Sequence, residues 1–218
     1  MNQPFPGVFH DGKRFLTKNL VPGTRSYGEE IVQDHGNEFR VWDPYRSKPA
    51  AALTKGLKNF PVQPGMTVLY LGAANGNTVS FFSDIIGPKG VVYAVEISER
   101  PMRDLLPVAE KRGNIVPILA NARVPKEYFW IEPADLVYQD VAVRDQAEIL
   151  ARNCDAFLKP NGLAALAIKA RSIDVVANPK EVVAAEVKRL SQGFKIAESL
   201  QLDPYEKDHE FVVMAPKR

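Results

Sequence analysis

The stretch TVLYLGAANGNT, residues 67–78, decides the fold of this chain. It begins with a nearly continuous apolar run, which is typical of a strand that is buried in a parallel sheet. The run ends at Gly72 and a second glycine follows at Gly76. Glycines let the backbone turn sharply and approach a ligand without an intervening side chain. A helical pattern begins after the turn, so the stretch predicts a strand, a glycine-rich turn and a helix.

The spacing of these glycines differs from that of a nicotinamide-dinucleotide loop, which has the pattern G-x-G-x-x-G. The sequence here is G-A-A-N-G, which is one residue short and lacks the final glycine. Such a turn suits a ligand that joins a nucleoside to an amino acid and has no pyrophosphate. A plain connection between a strand and a helix would have a similar sequence, so the turn alone does not decide between the two.

Downstream of residue 64, apolar strands alternate with amphipathic helices. Five repeats of strand and helix are followed by FKIAESLQL and EFVVMAP, two strands without a helix between them. This order predicts an α/β, Rossmann-like fold whose seven-stranded, mostly parallel sheet ends in a C-terminal antiparallel hairpin. Within it, we expect the helix of residues 101–113 to break or end near Pro107, and residues 160–162 to form a turn.

The first 45 residues are rich in turn formers and predict a small antiparallel β module. The Asp11-Gly12 pair marks a hairpin between two short strands, and the segment GNEFRVWDP predicts a third strand. Ser47 is expected to cap a helix that runs to about Lys58. We therefore predict two parts, a β module over residues 1–55 and an α/β domain over residues 56–218.

Composition excludes several classes of protein. The chain has 218 residues, of which 45% are hydrophobic and 25% charged, as in ordinary globular proteins. The single cysteine, Cys154, excludes a disulfide framework, and the three scattered histidines argue against a histidine-based zinc site. The sequence shows neither a long apolar run nor a signal-peptide pattern. We therefore expect a cytoplasmic protein with no membrane partner and no metal.

Polar residues follow the ends of three successive predicted strands. Glu96 ends the second strand, where a carboxylate can accept both hydroxyls of a ribose. Asn121 ends the third strand, where an amide can hydrogen-bond an adenine edge, and Asp140 ends the fourth. The carboxyl ends of parallel strands meet at one edge of a sheet. Together these residues predict a pocket for S-adenosylmethionine (SAM) in a doubly wound methyltransferase fold.

Three further residues could act on a substrate, although each also has an ordinary structural explanation. Lys169 lies in the otherwise apolar strand ALAIKAR, so its charge either reaches solvent or faces a functional cavity. His209 follows a charged run, where a lone histidine is commonly a loop residue. Lys48 begins the helix before the first strand of the large sheet, where a lysine is commonly solvated.

Six segments carry a resemblance that spans nearly the whole chain. They are EFRVWDPYRSKPAAAL, VLYLGAANGNTVSFFSDIIGPKGVVYAVE, NIVPILANAR, DLVYQDVA, AIKARSID and LDPYEKDHEFVV. In register from about residue 7 to the C-terminus, they resemble the fibrillarin family of RNA-guided ribose 2′-O-methyltransferases. Eukaryotic members carry a Gly/Arg-rich N-terminal region that this sequence lacks, so the resemblance is to the archaeal form.

The resemblance implies a set of site residues. The family's catalytic Lys-Asp-Lys-His set falls on Lys48, Asp140, Lys169 and His209. Beside Gly72 of the turn, the family's SAM contacts fall on Asn77, Thr78, Glu96, Ile97, Asn121, Ala122, Asp140, Val141, Ala142 and Val143. The family usually has Thr, Asp and Gln where this chain has Asn77, Asn121 and Val143. The asparagine at 121 keeps an acceptor but loses a charge, and the valine at 143 has no polar group.

The resemblance also implies a function and partners. The chain would methylate ribose 2′-hydroxyls of rRNA and tRNA from SAM, as the catalytic subunit of a box C/D ribonucleoprotein. Its partners would be a Nop5 (Nop56/58-like) scaffold protein, L7Ae, the box C/D guide RNA and the target RNA. Lys169 is the best candidate for the general base if it is deprotonated, since burial and neighbouring positive charges favour its neutral form.

The charge of the chain bears on how it would select RNA. Its net charge is only +2, with 9 basic and 6 acidic side chains in residues 1–60 and a balance of −1 thereafter. A protein that binds duplex RNA alone would carry a strong basic stripe. Near the expected site, the basic residues are Arg40, Arg46, Lys48, Lys55, Lys58 and Arg171. We therefore expect partners to hold the substrate.

Two other functions stay open at this point. One is a SAM-dependent methyltransferase of the same fold that modifies a protein, for example a glutamine side chain. The other is a non-catalytic assembly subunit that keeps the fold of the enzyme. The destination of a labelled methyl group would separate the first from RNA methylation, and a failure to bind SAM would support the second.

Overall fold

The computed structural model describes residues 1–217, which form two sheets with helices packed around the larger one. The strands are β1 (Asn2–Phe5), β2 (Val8–His10), β3 (Phe15–Lys18), β4 (Ile31–Asp34), β5 (Asn37–Val41), β6 (Thr67–Leu71), β7 (Val91–Glu96), β8 (Ile115–Leu119), β9 (Ala134–Gln139), β10 (Leu158–Lys169), β11 (Phe194–Gln201) and β12 (His209–Pro216). The helices are α1 (Lys48–Thr54), α2 (Asn77–Ile86), α3 (Glu99–Arg112), α4 (Gln146–Phe157), α5 (Ala170–Ile173) and α6 (Pro179–Gly193).

The larger sheet confirms the predicted fold. Its seven strands lie in the order β11-β12-β10-β9-β6-β7-β8. Strands β6 to β10 are parallel, whereas β12 is antiparallel to both β10 and β11. The chain runs outward from β6 to β8 and then returns to place β9 on the other side of β6. Such a reversal of strand order leaves a crevice at the carboxyl ends of the strands, which is where doubly wound folds bind ligands.

The N-terminal sheet has five strands rather than the three that the sequence predicts, in the order β1-β2-β3-β5-β4. The additional strands, β1 and β4, lie at its two edges and have four residues each, too few to show a clear alternation of apolar and polar residues. The hairpin between β4 and β5 turns at His35 and Gly36, whose φ angles are 46° and 74°. Two successive positive φ angles suit a type I′ hairpin, in which asparagine or aspartate is commoner than histidine.

Three local predictions differ from the structure. Helix α3 continues through Pro107, because Met102, Leu105 and Ala109 bury its inner face on both sides of that residue. Helix α1 ends at Thr54 rather than near residue 58, before Gly56 with a φ of 93°. Residues 160–162 belong to strand β10, where a register shift against β9 takes the place of the turn.

A buried network of charges joins the N-terminal sheet to helix α2. Arg40 on β5 donates to Asp84 Oδ2 on α2 at 2.7 Å and to Glu29 Oε1 at 2.5 Å. Arg112 on α3 donates to the other oxygen of Asp84 at 2.6 Å. The side chain of Arg40 is 0% exposed, so Arg40, which the sequence grouped with the basic residues near the expected site, has no charge to offer to RNA. The division into parts at residues 1–55 and 56–218 stays a prediction, and this network crosses it.

Within residues 1–217, no helix has both the length and the apolar character that crossing a membrane requires.

Candidate active site

A cavity of about 340 Å³ opens at the carboxyl ends of β6, β7 and β9, where the strand order reverses. Most of the predicted cofactor residues line it, together with one predicted catalytic lysine. These are Gly72, Glu96, Ile97, Asn121, Ala122, Asp140, Val141, Ala142, Val143 and Lys169. The sequence did not indicate the other lining residues, among them Ala74, Arg123 and Ile149. The structure therefore brings the polar residues at the strand ends into one cavity.

Glu96 shapes the glycine-rich turn from the end of β7. Its Oε2 accepts a hydrogen bond from the Ala74 amide at 2.8 Å, and its Oε1 accepts one from the Ser98 amide at 2.8 Å. Ala74 adopts a left-handed φ of 47°, which a non-glycine residue keeps only when its surroundings hold it. Each carboxylate oxygen can accept a second hydrogen bond, so Glu96 can hold the turn and bind ligand hydroxyls at once.

Asn121 is fixed at the end of the neighbouring strand. Its side-chain Oδ1 accepts a hydrogen bond from the main-chain amide of Arg123 at 3.0 Å, and its main-chain amide donates to Glu127 Oε2 at 2.8 Å. Arg123 in turn donates from Nε to Asp145 at 2.8 Å. The carboxamide of Asn121 is therefore held in one orientation at the wall of the cavity.

Gly72 brings the turn directly against the main chain of Asp140. The φ of Gly72 is +84°, and a Cβ atom there would lie 2.9 Å from the carbonyl oxygen of Asp140. The Asp140 amide donates to the Leu71 carbonyl at 2.9 Å, so β6 and the residue after β9 are tied together. Lys169 Nζ donates to the same Asp140 carbonyl at 2.8 Å. A displacement of the main chain at Gly72 would therefore move the Asp140 carbonyl and, with it, the Lys169 ammonium that donates to this carbonyl.

Replacing Gly72 with alanine is expected to lower turnover about tenfold or more, because the new methyl group would displace the carbonyl that positions Lys169. A left-handed alanine also costs about 1–2 kcal/mol in the free energy of unfolding. Gly12→Ala is the matched control, since Gly12 has a φ of +95° and nothing within 4 Å of its Cβ position. Methyl transfer and thermal unfolding would be measured for both. Equal turnover in the two variants would contradict the role of the close contact.

Asp140 lies between two lysines. Lys48 Nζ is 3.3 Å from Asp140 Oδ2, and Lys169 Nζ is 2.7 Å from Asp140 Oδ1. Lys169 therefore forms an ion pair with Asp140 Oδ1 and also donates a hydrogen bond to the Asp140 carbonyl at 2.8 Å. The three side chains are only 13–16% exposed. Low exposure strengthens their electrostatic interaction relative to that of a surface ion pair.

A second carboxylate, which the sequence analysis did not identify as a site residue, also faces Lys48. Glu206 Oε1 lies 3.5 Å from Lys48 Nζ. Burial lowers the pKa of Lys48, but the charges of Asp140 and Glu206 outweigh burial and raise that pKa above its ordinary value. Lys48 is therefore a stable cation. Glu206 belongs to the charged run before His209, and only its proximity to Lys48 in the fold distinguishes it from a solvated residue.

His209 begins β12 directly opposite Lys169, its partner residue on β10. Its Nδ1 is 2.7 Å from the Lys207 carbonyl oxygen, which can only accept a hydrogen bond. The proton therefore resides on Nδ1, and Nε2 is the nitrogen that can face another group. The preceding residue, Asp208, has a φ of 59° and is held by Arg171 at 3.1 Å. The register therefore places His209 next to Lys169 on the neighbouring strand, although His209 lines a groove beside α6 rather than the cavity that Lys169 lines.

Two tyrosines underlie the charged cluster. Tyr70 and Tyr138 pack with their ring centroids 4.6 Å apart. Burial raises the pKa of Tyr70 well above its ordinary value, and the charge of Asp140 adds to the effect. Burial also raises the pKa of Tyr138, with further contributions from Tyr70 and Asp140. Both phenols therefore stay neutral, and neither tyrosine adds a charge near Asp140.

Asn77 and Thr78 are placed differently from the other predicted cofactor residues. Asn77 Nδ2 donates to the Arg46 carbonyl at 3.2 Å, and Thr78 Oγ1 donates to Ser47 Oγ at 3.1 Å. These bonds tie the start of α2 to the residues just before Lys48. Ser47 makes no side-chain cap on α1, in contrast to the expectation from the sequence. Contacts of Asn77 and Thr78 with SAM stay a prediction.

Comparison with known proteins identifies the family. The family model described as Fibrillarin matches residues 2–218. The fibrillarin-like rRNA/tRNA 2′-O-methyltransferase of Pyrococcus furiosus is 48% identical over 219 residues, which cover 97% of this chain and 96% of that protein. This chain belongs to the fibrillarin family. The resemblance inferred from the six sequence segments is thereby confirmed.

Two solved structures of fibrillarins share the fold of this family member. Aeropyrum pernix fibrillarin, solved with natively bound SAM, has a TM-score of 0.88 and 49% identity, with 96% of this chain and 94% of that chain covered. A fibrillarin in complex with Nop5p has a TM-score of 0.89 and 40% identity, with 97% of this chain and 98% of that chain covered. The seven-stranded sheet with its antiparallel C-terminal hairpin is therefore the fibrillarin methyltransferase fold.

Proposed function

We propose that this fibrillarin transfers a methyl group from SAM to ribose 2′-hydroxyls of rRNA and tRNA, as the catalytic subunit of a box C/D ribonucleoprotein. One observation carries the proposal. Lys169 and Asp140 line the same cavity as Glu96 and Asn121, so the candidate reactive groups and the candidate cofactor groups share one space. The P. furiosus relative is a fibrillarin-like rRNA/tRNA 2′-O-methyltransferase, which supports the reaction and the substrate class.

The lining of the cavity fits SAM. The carboxylate of Glu96 can accept ribose hydroxyls, and the fixed carboxamide of Asn121 can meet an adenine edge. Ile97 and Val143 offer apolar surface for the faces of the ring. Asp140 places a negative charge at the wall nearest the lysines, where a sulfonium would be favoured. When bound, SAM supplies an electrophilic methyl group. The A. pernix fibrillarin with natively bound SAM supports this assignment.

The charged cluster provides the means to activate a weakly acidic hydroxyl. A ribose 2′-hydroxyl must lose its proton, or be strongly polarised, as it attacks a methyl group. Asp140 orients Lys169, whose Nζ takes the proton when the lysine is neutral, while the Lys48 ammonium stabilises negative charge nearby. His209 presents Nε2 on the adjacent strand. Placing the hydroxyl in line with the methyl group supplies much of the remaining rate.

Partners would supply most of the affinity for RNA. The formal net charge of +2 is small for a protein that binds duplex RNA alone, and Arg40 is buried in the network beneath the N-terminal sheet. The solved fibrillarin–Nop5p complex supports a Nop5 scaffold protein as the direct partner. L7Ae, a guide RNA and the target RNA would complete the particle. The cytoplasmic location expected from the sequence stays a prediction.

Reconstitution tests the proposal. The chain would be assembled with a Nop5 scaffold, L7Ae, a box C/D guide RNA and a complementary target, and then supplied with methyl-labelled SAM. We expect label on one ribose of the target, at a position that moves when the guide sequence is changed. Label on a protein glutamine would support the alternative methyltransferase. SAM binding without transfer in an assembled particle would contradict a catalytic role.

Replacing Glu96 with glutamine is expected to weaken SAM binding by about 10- to 100-fold, because a charged acceptor contributes about 1.5–3 kcal/mol to its hydrogen bonds. Calorimetry on the isolated chain would measure the affinity. Glu99→Gln is the control, since Glu99 is 75% exposed at the start of α3 and pairs only weakly with Arg103. Equal SAM affinity in the Glu96 variant and the control would exclude Glu96 from the cofactor site.

A further inference from the structure

We propose that Glu206 is a positioning residue for methyl transfer, which holds the Lys48 ammonium group so that Asp140 is free to orient Lys169. The inference rests on the proposed function and adds to it a residue outside the Lys-Asp-Lys-His set. It is carried by the position of Lys48 between two carboxylates, with Nζ 3.3 Å from Asp140 Oδ2 and 3.5 Å from Glu206 Oε1.

The balance of charge gives Glu206 its importance. Without it, Asp140 would be the counter-ion of two ammonium groups, Lys48 and Lys169, in a site where all three side chains are mostly buried. Whenever Lys169 carries its proton, Glu206 supplies the second carboxylate that matches the two ammonium groups. A buried cation without a nearby negative charge destabilises the fold. Without Glu206, Asp140 would be the only carboxylate contacting Lys48 among the residues that the structure describes.

The position of Lys48 in α1 increases this need. Lys48 is the first residue of the helix, where the partial positive charge of the exposed amides disfavours a cation. The first turn, Lys48 to Ala51, contains no acidic residue that could offset it. The compensating charge must therefore come from other elements, and Glu206 and Asp140 provide it.

Main-chain contacts, rather than Lys48 itself, place Glu206. It lies in the loop between β11 and β12, where its amide donates to the Leu202 carbonyl at 3.3 Å. The Leu202 amide donates in turn to the His209 carbonyl at 3.0 Å. Beside Glu206, the ring of Tyr205 packs edge-on against Tyr45, with centroids 5.0 Å apart. The loop that carries His209 therefore also presents Glu206 to the start of α1.

Several elements contribute titratable groups around Lys48. Asp140 follows β9 and Glu206 lies in the β11–β12 loop, and both contact Lys48 Nζ. Lys169 on β10 shares Asp140, and His209 is its partner residue on β12. On β9, the charges of Asp140 and Glu206 help to raise the pKa of the Tyr138 phenol. Of these groups, Glu206 is the one that contacts Lys48 without contacting Lys169 among residues 1–217.

A titration of Lys48 tests the inference without any measurement of activity. Lysine side chains labelled with ¹³C and ¹⁵N in the isolated full-length chain would be followed by NMR against pH, with Lys48→Arg used to assign the signal. In Glu206→Gln, Lys48 should titrate at a lower pH than in the wild type. Glu210→Gln is the matched control. It makes the same chemical change at a nearby glutamate whose side chain accepts a hydrogen bond from Ser199 at 2.6 Å instead of contacting Lys48. An unchanged titration of Lys48 in Glu206→Gln would overturn the inference, whether or not the protein methylates RNA.

Kinetics in the reconstituted particle give the second readout. Glu206→Gln should lower kcat about tenfold or more, because a misplaced catalytic group slows the chemical step. Its SAM affinity and melting temperature should equal those of the Glu210→Gln control. Glu206→Asp should recover part of the loss. An unchanged kcat, or a loss of kcat matched by equal losses of SAM affinity and stability, would overturn a positioning role. Activity of the wild-type particle in the same assay tests the proposed function separately.

Discussion

Replacing Lys169 with methionine is expected to lower methyl transfer by about 100- to 10,000-fold, the range typical of losing a general acid or base. The variant keeps the aliphatic stem on β10 but removes the Nζ atom that contacts Asp140 at 2.7 Å. Asp140 would retain Lys48 as its counter-ion, so the fold should persist. Label transfer in the reconstituted particle would measure turnover, and calorimetry would measure SAM affinity in parallel.

Lys159→Met is the matched control for this experiment. Lys159 lies on the same strand, but its side chain is 40% exposed and pairs with Asp135 at 2.8 Å, away from the cavity. Its replacement should leave turnover within about threefold of the wild type, since exposed ion pairs contribute little. If Lys169→Met also retained both turnover and SAM affinity, Lys169 could not be the residue that activates the hydroxyl.

Replacing Arg40 with methionine is expected to lower the free energy of unfolding by about 3–5 kcal/mol, because it leaves buried charges without their partner. Arg40 pairs with both Glu29 and Asp84, and all three side chains are at most 1% exposed. It also lies 4.1 Å above the ring of Phe81, so the change removes a cation–π contact as well. For a chain of this length, we expect the melting temperature to fall by roughly 10 °C.

Arg14→Met provides the comparison, since Arg14 lies directly before β3 of the N-terminal sheet and also pairs with two carboxylates. Its side chain is 33% exposed, and its loss should cost no more than about 1 kcal/mol. Denaturant and thermal unfolding would be followed for both variants. If the Arg40 variant were no less stable than the Arg14 variant, the network could not be what secures the N-terminal sheet to α2.

The cost of losing Arg40 should also depend on pH. Burial raises the pKa of Glu29, but the charge of Arg40 and several main-chain amides outweigh burial and lower that pKa below the ordinary glutamate value of 4.5. A carboxylate with a lowered pKa adds stability above its unfolded pKa, and this stability is lost as the pH falls through the folded pKa. The difference between wild type and Arg40→Met should therefore narrow below about pH 4.5.

Much of the candidate site could be predicted because it follows from the order of the strands. Glu96 ends β7, while Asn121 and Asp140 follow the ends of β8 and β9, and parallel strands bring such ends to one edge of a sheet. The resemblance to fibrillarins added Lys48, Lys169 and His209, which local patterns alone left as ordinary side chains. The structure places Asp140 in contact with both lysines and His209 on the strand beside Lys169.

The partners of charged side chains could not be predicted in the same way. By its sequence, Arg40 is one of the basic residues near the expected site, whereas the packing of β5 against α2 buries its side chain beside Asp84. Glu206 belongs to a charged run of the sequence, whereas the loop between β11 and β12 brings it to Lys48. A charged residue shows the same local sequence pattern whether it ends up exposed to solvent or buried in an ion pair. Its role is therefore set by neighbours from distant parts of the chain.

The α/β fold, the order along the chain of the strands in the larger sheet and the strand ends that bear the cofactor residues all follow from the amino-acid pattern. Hydrophobic periodicity and turn residues act over a few positions, so they can be read without the rest of the chain. The pairing of charges became visible in the three-dimensional fold alone: Glu206 pairs with Lys48, Lys169 donates to the Asp140 carbonyl, and Arg40 pairs with Asp84. Such pairing depends on distances and burial between elements far apart in sequence, which no local pattern records.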